Sequence, residues 1–553
     1  MLAKSEILQI LSHLPFQVEG SSFEMEGEML CFLLTFNTGN ETTHFKVKMT
    51  PWYPFHFMGQ EGISFFNEDL KEFAHIMEHG NLCIHSLTNQ DPKSKFREDV
   101  TQLYDWIVKY LIHGAKDSHY EDIVVNDSLI GECYMCYAVP LSERPNLCND
   151  YGVACIKNLS PSILHETKCL NHLVYCFHNI YPKADADNFW LSSVYKTYDH
   201  NDSIAPFVLL KDHPSRYGKF AIKDIGTLSS FMTQAQLQFI SHMLNNETAK
   251  DKQFMPIFIG FPTVNNQIGW LTLMINLDNI PWHGEAERIN GVKTGKWLSV
   301  PNENAEAVYA KTEIITPELY YGRGMFPESF TLSKILILGV GAIGSILAKT
   351  LVKCGCRNIS LYDFDTKSYG NCCRSEYDFY RGNGDKQNEL CLQLTASDPF
   401  VEITLLPHNF DLAVKAAFNN GDHEMLNNRF NEYDYIFDCT TDDDLTYILD
   451  QLQVKSQVVN LSISNHAKQL VCGFSPKISD FLKLAFSKLV KADEHDLYNP
   501  TGCWNPTFKA SYNDINLMLQ YALKRIVRMV TAQEIKHNFI LSDSDEGLRI
   551  ERI

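Results

Sequence analysis

The chain has 553 residues, enough for about three domains, and its 45% hydrophobic and 21% charged content is ordinary for a globular protein. Disordered, collagenous and disulfide-stapled miniature chains are thereby excluded. Lys and Arg number 48 against 67 Asp and Glu, a net charge of −19 with no local basic patch, which argues against nucleic-acid and anionic-membrane partners.

Residues 1 to about 115 open with an amphipathic helix in which Ile7, Leu8, Leu11 and Leu14 recur at helical spacing. Strand-like runs from Phe23 to Phe36 and Thr43 to Met49 flank a turn at Asn37 to Asn40 and read as an antiparallel meander. A second helix is expected from about Lys95 to Ile112, with Val100, Leu103, Trp106, Ile107, Tyr110 and Leu111 on one face. This is an α+β layout. Residues 116 to 315 mix short strands (Phe207 to Leu210, Pro256 to Ile259, Trp270 to Ile275) with a helix around Thr233 to Leu244, a mixed α/β middle region of no assigned fold. Cys133, Cys136, Cys148 and Cys155 lie within it without the regular spacing of a zinc site.

Residues 316 to 553 alternate strand and helix, as in a parallel sheet covered on both faces. A strand at Lys334 to Leu338 leads into Gly339, Gly341 and Gly344, then a helix from Ile343 to Cys354 and a strand from Asn358 to Tyr362 that ends on Asp363. Glycines there let the backbone approach phosphate at a helix N-terminus, and an acid at the end of the second strand suits a ribose hydroxyl. Asp365, Asn371, Arg374 and Lys386 follow, a set that a dehydrogenase does not need. Joining a carboxylate to AMP requires positive charge on the α-phosphate, which Arg374 and Lys386 can supply, and a carboxylate for Mg²⁺, for which Asp442 stands after the strand Tyr435 to Phe437, with Asp443 and Asp444 beside it.

These roughly 230 residues resemble the ThiF/MoeB and ubiquitin-activating adenylation domains, with a Rossmann-like fold. The resemblance implies ATP and Mg²⁺ as cofactors: Gly339, Gly341 and Gly344 match the family's glycine loop, Asp363 its ribose acid, Asn371 and Arg374 its Asn-x-x-Arg element, Lys386 its phosphate lysine and Asp442 its magnesium acid. Arg323 resembles the arginine that such dimers donate across their interface. The family's usual Gln after the Arg is Ser375 here, and the paired CxxC motifs that hold structural zinc in many of its members do not occur.

Sixteen cysteines raise the question of which have chemistry. Glu6 stands where a secretory apolar core would begin, and no run of about 18 apolar residues occurs, so a cytoplasmic protein with reduced thiols is expected. Most such thiols are small buried hydrophobes. Two stand in loop-like sequence and are candidate nucleophiles for an activated carboxylate: Cys503, in a Gly/Asn/Pro-rich stretch before a helix that begins near Asn513, and Cys83, between Leu82 and Ile84. With Tyr53 and Pro54 after the meander, region one resembles the ubiquitin-conjugating fold. No His-Pro-Asn element precedes Cys83, so Asn81, His75 or His79 is left to replace the usual oxyanion-stabilising Asn.

A conjugating-like domain (1–115), a middle domain (116–315) and an adenylation domain (316–553) in this order resemble the bacterial fusion proteins of CBASS anti-phage operons, the CD-NTase-associated protein 2 group. That resemblance implies a cytoplasmic homodimer that adenylates the C-terminus of a partner protein, a cGAS-like nucleotidyltransferase, relays it through Cys503 and Cys83 as thioesters and attaches it to a target amine. The alternatives are a ThiF/MoeB-type sulfur-carrier adenylyltransferase, an NAD-dependent oxidoreductase using the same glycine loop, and a scaffold that binds ATP without catalysis.

Overall fold

The apolar run from Ile335 to Leu338 forms the middle of an eight-stranded sheet in the computed structural model, which describes residues 2–37, 42–56, 61–84, 89–115, 123, 125, 128–131, 133–147, 149–158, 172–181, 203–246, 252–263, 267–302, 304–379, 384–464, 466–489, 510–532 and 534–553. The described residues divide into two compact units, the first ending at Ile314 and the second starting at Ile315. Cys503 and the Asn37 to Asn40 turn beyond Asn37 lie outside the described residues.

In the second unit, β4 (Lys334–Leu338) pairs in parallel with β5 (Asn358–Tyr362) and β7 (Tyr435–Asp438). β6 (Glu402–Leu405) extends the sheet beyond β5, and β8 (Gln457–Ser464) beyond β7. Three antiparallel strands, β9 (Gln469–Phe474), β10 (Phe539–Ser544) and β11 (Gly547–Arg552), complete it. The strand order reverses at β4, so the C-terminal ends of β4 and β7 frame a crevice of the kind in which open α/β sheets bind ligands. Alternate residues of β4 serve opposite faces. Ile335 and Ile337 pack with helix α3 (Ala342–Lys353) and the long helix α7 (Tyr512–Thr531). Leu336 and Leu338 pack with α5 (Phe410–Asn419) and α6 (Asp443–Gln451). Burial on both faces is why these short strands read as unbroken apolar runs. The helix expected near Asn513 starts at Tyr512, because Ser511 caps it by accepting from the Asp514 amide.

In the first unit, helix α1 (Lys4–Leu11) and helix α2 (Pro92–Trp106) cover an antiparallel sheet containing β1 (Met29–Asn37), β2 (Thr42–Met49) and β3 (Ile63–Phe66). The expected run from Phe23 to Phe36 is broken. Glu24–Glu26 folds back on β1 through a two-residue turn at Gly27, whose φ of +63° suits glycine. The expected helix to Ile112 is continuous, but from Ile107 to Ile112 it is wound as a π-helix.

The rest of this unit is mostly β. Eight of its described strands form one mixed sheet, seven of which close where Val308–Ile314 pairs in parallel with Cys133–Val139. Helix Gln234–Leu244, capped by Thr233, lies against it, and a small hairpin of Ser215–Arg216 with Phe220–Ala221 leaves it. Cys133 and Cys136 lie on one of the strands and Cys155 on another, and no metal-holding cluster of His, Cys, Asp and Glu occurs among the described residues.

Candidate nucleotide site and the Cys83 loop

Two of the three loop glycines are required by packing and the third leaves space. Gly339 turns the chain at φ +80°, where a Cβ would meet the Cys439 backbone at 3.0 Å. A Cβ on Gly344 would lie 1.9 Å from the Gly339 carbonyl oxygen, so the helix can approach the strand this closely only with glycine. Nothing lies within 4 Å of a Cβ built on Gly341, the residue that caps α3 without a side chain. The positive end of α3 therefore faces open space, the arrangement that suits a phosphate.

That space is a cavity of about 620 Å³, large enough for a nucleotide, with Gly339, Gly341, Asp363, Asp365, Asn371, Arg374, Lys386 and Asp442 all on its wall. Asp363 ends β5 and is almost fully buried. It accepts from the amides of Val340 (2.8 Å) and Asp365 (2.9 Å), which fixes its carboxylate beneath the glycine loop. Burial pushes its pKa up, and the Lys386 ammonium 4.0 Å away acts in the opposite sense. Lys386 begins helix α4 (Lys386–Ser397) and donates to Asp365 at 2.8 Å. One lysine thus bridges the two acids while its head stays on the cavity wall. Asn371 accepts from the Ser368 amide (2.9 Å), closing the 3₁₀ turn Tyr369–Arg374 that brings Arg374 to the cavity. Ser375, where a longer Gln is usual in the resembling family, is buried and donates to the Asn371 carbonyl. It closes the loop locally. Arg323 is exposed and does not line the cavity.

Two cavity-lining residues, Lys415 and Asp411, and one fully buried residue outside the lining, Asp438, were not expected from sequence. Lys415, on α5, donates to Asp442 at 2.6 Å and lies 3.5 Å from Asp444. Asp411, one turn earlier on the same helix, accepts from the Tyr362 hydroxyl. Asp438, at the end of β7, is fully buried and takes hydrogen bonds from Thr440, Thr446 and Asn460, which anchor the strand-to-helix connection that carries Asp442. No motif marks Lys415. Its only signal is helical spacing from Asp411, which many surface helices share.

Asp442 divides its carboxylate between two tasks. One oxygen accepts from the amides of Asp444 (3.0 Å) and Leu445 (3.1 Å) and caps α6; the other is held by Lys415. With no all-protein metal cluster among the described residues, the donor set fits Mg²⁺ held by one carboxylate together with nucleotide phosphates, the usual mode for that ion. Cys439 shares the wall, but burial pushes its thiol well up, as expected of an inert core cysteine.

Cys83 lies in a loop that folds back on itself. Ile76 and Leu82 form an antiparallel bridge, the Cys83 amide donates to the His75 carbonyl (2.7 Å), and His75 adopts φ +62° to present it. Trp106 on α2 donates to the neighbouring Ala74 carbonyl at 3.0 Å. Burial and the Glu61 carboxylate both push the Cys83 thiol up. Asn81 carries a buried side-chain oxygen with no hydrogen-bond partner, which leaves its amide unengaged at that end.

The second unit has a Rossmann-like α/β sheet with a cavity at its strand switch, and the ThiF family profile matches residues 327–464. The chain is 25% identical over 293 residues to the "ATP-dependent ubiquitin transferase-like protein Cap2" of Enterobacter hormaechei subsp. hoffmannii (strain UCI 50), covering 50% of this chain and 47% of that protein. An uncharacterized protein of Sinorhizobium fredii (strain NBRC 101917 / NGR234), y4qC, is 28% identical over 116 residues, 21% of this chain and 20% of the relative. The match thus spans about half the length of the first relative and less of the second. Among solved structures, E. coli MccB with ATP (16% identity, 41% of this chain and 65% of that one, TM-score 0.29) and PaaA (18%, 42% and 66%, TM-score 0.29) are similar. No described helix is long and apolar enough to cross a membrane.

Proposed function

We propose that the chain adenylates the C-terminal carboxylate of a partner protein with ATP and Mg²⁺, takes the acyl group as a thioester on Cys503, passes it to Cys83 and joins it to a target amine. The observation that carries this reading is the convergence of Gly341, Asp363, Arg374, Lys386 and Asp442 on one cavity at the strand switch of a ThiF-family domain. The α3 N-terminus receives phosphate, and Asp363 accepts from ribose hydroxyls. Arg374 and Lys386 offset the charge that grows on the α-phosphate as the carboxylate oxygen attacks and pyrophosphate leaves, and Asp442 would hold a Mg²⁺ ion, which would supply further positive charge to the phosphates. The name of the Enterobacter relative, an ATP-dependent ubiquitin transferase-like protein, supports transfer to an amine over release of a sulfur carrier. The α-helix-flanked antiparallel sheet preceding the Cys83 loop supports a conjugating-like role for the first 115 residues. We extend the reading to a cytoplasmic homodimer, with Arg323 reaching the partner protomer's site, and to a cGAS-like nucleotidyltransferase as the carboxylate donor.

The test combines purified protein, ATP, Mg²⁺ and candidate partner. Partner-dependent ATP–pyrophosphate exchange is expected, together with thiol-sensitive adducts lost in turn with Cys503→Ala and Cys83→Ala. Conjugation that survives both substitutions would overturn the relay, and tight NAD binding without exchange would overturn adenylation.

A further inference from the structure

The middle region was left without a role by the sequence, yet one of its elements reaches the Cys83 loop inside the same compact unit. The hairpin of Ser215–Arg216 and Phe220–Ala221 turns through Tyr217 (φ +54°) and Gly218 (φ +74°), two consecutive left-handed residues of a tight I′-type turn. The Lys219 amide closes the turn on the Arg216 carbonyl (3.2 Å), while the ladder pairs Arg216 with Phe220. The side chains of Arg216 and Lys219 both reach the loop that bears Cys83. Lys219 is 5% exposed and its ammonium donates to the Phe73 carbonyl. Arg216 pairs with Glu78, and Lys223, just past the hairpin, reaches the same carboxylate at 2.8 Å. Arg216 and Lys223 hold Glu78 below the usual carboxylate range, against a burial that acts in the opposite sense.

The loop transmits this anchoring directly. Phe73 and Glu78 bracket His75, whose carbonyl receives the Cys83 amide, and Ile76, which bridges Leu82. Met77 accepts from Gly80 and donates to Asn81, so the segment from Phe73 to Cys83 is a single closed hydrogen-bonded unit. The hairpin is rigid at its own base: Phe220 is buried, Tyr309 donates to the Ile222 carbonyl (2.8 Å), and the Ala307 amide donates to Lys223 (2.8 Å).

We propose that the 215–221 hairpin is a clamp that positions Cys83, with Lys219, Arg216 and Glu78 as positioning residues and the middle domain as the body that sets the reactivity of the thiol. The functional weight of the clamp rests on the reading of Cys83 as a nucleophile; the mechanical coupling does not. Lost charge-assisted hydrogen bonds to a part-buried loop make its local opening easier, which exposes the half-buried thiol to reagents and displaces it from a fixed acyl donor.

The experiment uses the full chain, iodoacetamide as probe and peptide-resolved mass spectrometry as readout, with Cys31 in the core of the same subdomain as internal reference. In Lys219→Met and Glu78→Ala, alkylation of Cys83 is expected to rise about tenfold while Cys31 stays protected, and hydrogen exchange should accelerate over 73–83. The conservative Lys219→Arg should restore most of the protection. Unchanged Cys83 alkylation would overturn the clamp, and so would Cys31 opening in step with Cys83, because the contact would then serve the subdomain fold and not the loop. If Cys83→Ala leaves conjugation intact while the hairpin variants still free the loop, the relay fails and the coupling stands.

Discussion

At the candidate nucleotide cavity the charged groups are held in place by one another: Lys386 spans Asp363 and Asp365, and Asp442 is held between Lys415 and the amides of α6. At Cys83 the arrangement is the reverse. Glu61, the charged group that acts on the thiol, has the sign that opposes ionisation, and the loop depends on ion pairs from a hairpin far along the chain. Phosphate chemistry works through fixed dipoles and charges, so its site is built in advance. In the proposed relay Cys83 has to meet an acyl donor and then an amine, and a part-buried site that raises its pKa limits side reactions of the thiol in between.

The largest effect that would break this comparison is at Lys386. Replacement by Ala leaves Asp363 and Asp365 without their shared cation and removes positive charge from the cavity wall. ATP–pyrophosphate exchange is expected to fall by about 10²–10³, with nucleotide binding weakened much less. Equal losses in both would show that Lys386 serves ground-state binding, and the cavity would then not be preorganised for transfer.

Which parts of this were legible in sequence follows from how local each signal is. Gly339, Gly341, Gly344, Asp363, Asn371, Arg374 and Lys386 fall in one short stretch, and the structure brings all of them to one cavity except Gly344, which packs against the Gly339 carbonyl. Lys415 was missed because it comes from a separate helix and carries no spacing of its own. The closure of the middle sheet was equally hidden: Lys311 pairs with Cys136, and no local pattern encodes a partnership between strands so distant in the chain. The same holds for the hairpin at Cys83, since Lys219 and Phe73 are 146 residues apart. The break at Gly27 was visible in principle, as a glycine between two acids inside an otherwise strand-like run.

A smaller effect tests whether Asp442 is poised or blocked. Lys415 occupies the carboxylate oxygen that α6 does not use, and it lends positive charge where Mg²⁺ would otherwise sit. In Lys415→Met the nucleotide-free protein should bind Mn²⁺ about threefold more tightly, measured by the electron paramagnetic resonance of the free ion, in keeping with the modest strength of a partly exposed ion pair. The helix cap is untouched by the substitution, so thermal stability should change little. Unchanged Mn²⁺ binding would mean that the ion uses neither of the carboxylates that Lys415 pairs with, Asp442 and Asp444, and the metal assignment would move to Asp443.

The smallest effect lies at Glu61, and its sign can be worked out from the thiol. A cysteine reacts as its thiolate, so a group that raises its pKa delays reactivity to higher pH. Burial is the larger cause at Cys83 and Glu61 the second. Glu61→Gln removes only the second, so the alkylation profile of Cys83 should shift to lower pH but remain above that of an exposed cysteine. At pH 7 the rate should rise about two- to fivefold. A profile that does not move would assign the suppression to burial alone. Thioester formation would then depend on loop opening, and the hairpin, more than the local carboxylate, would set when Cys83 reacts.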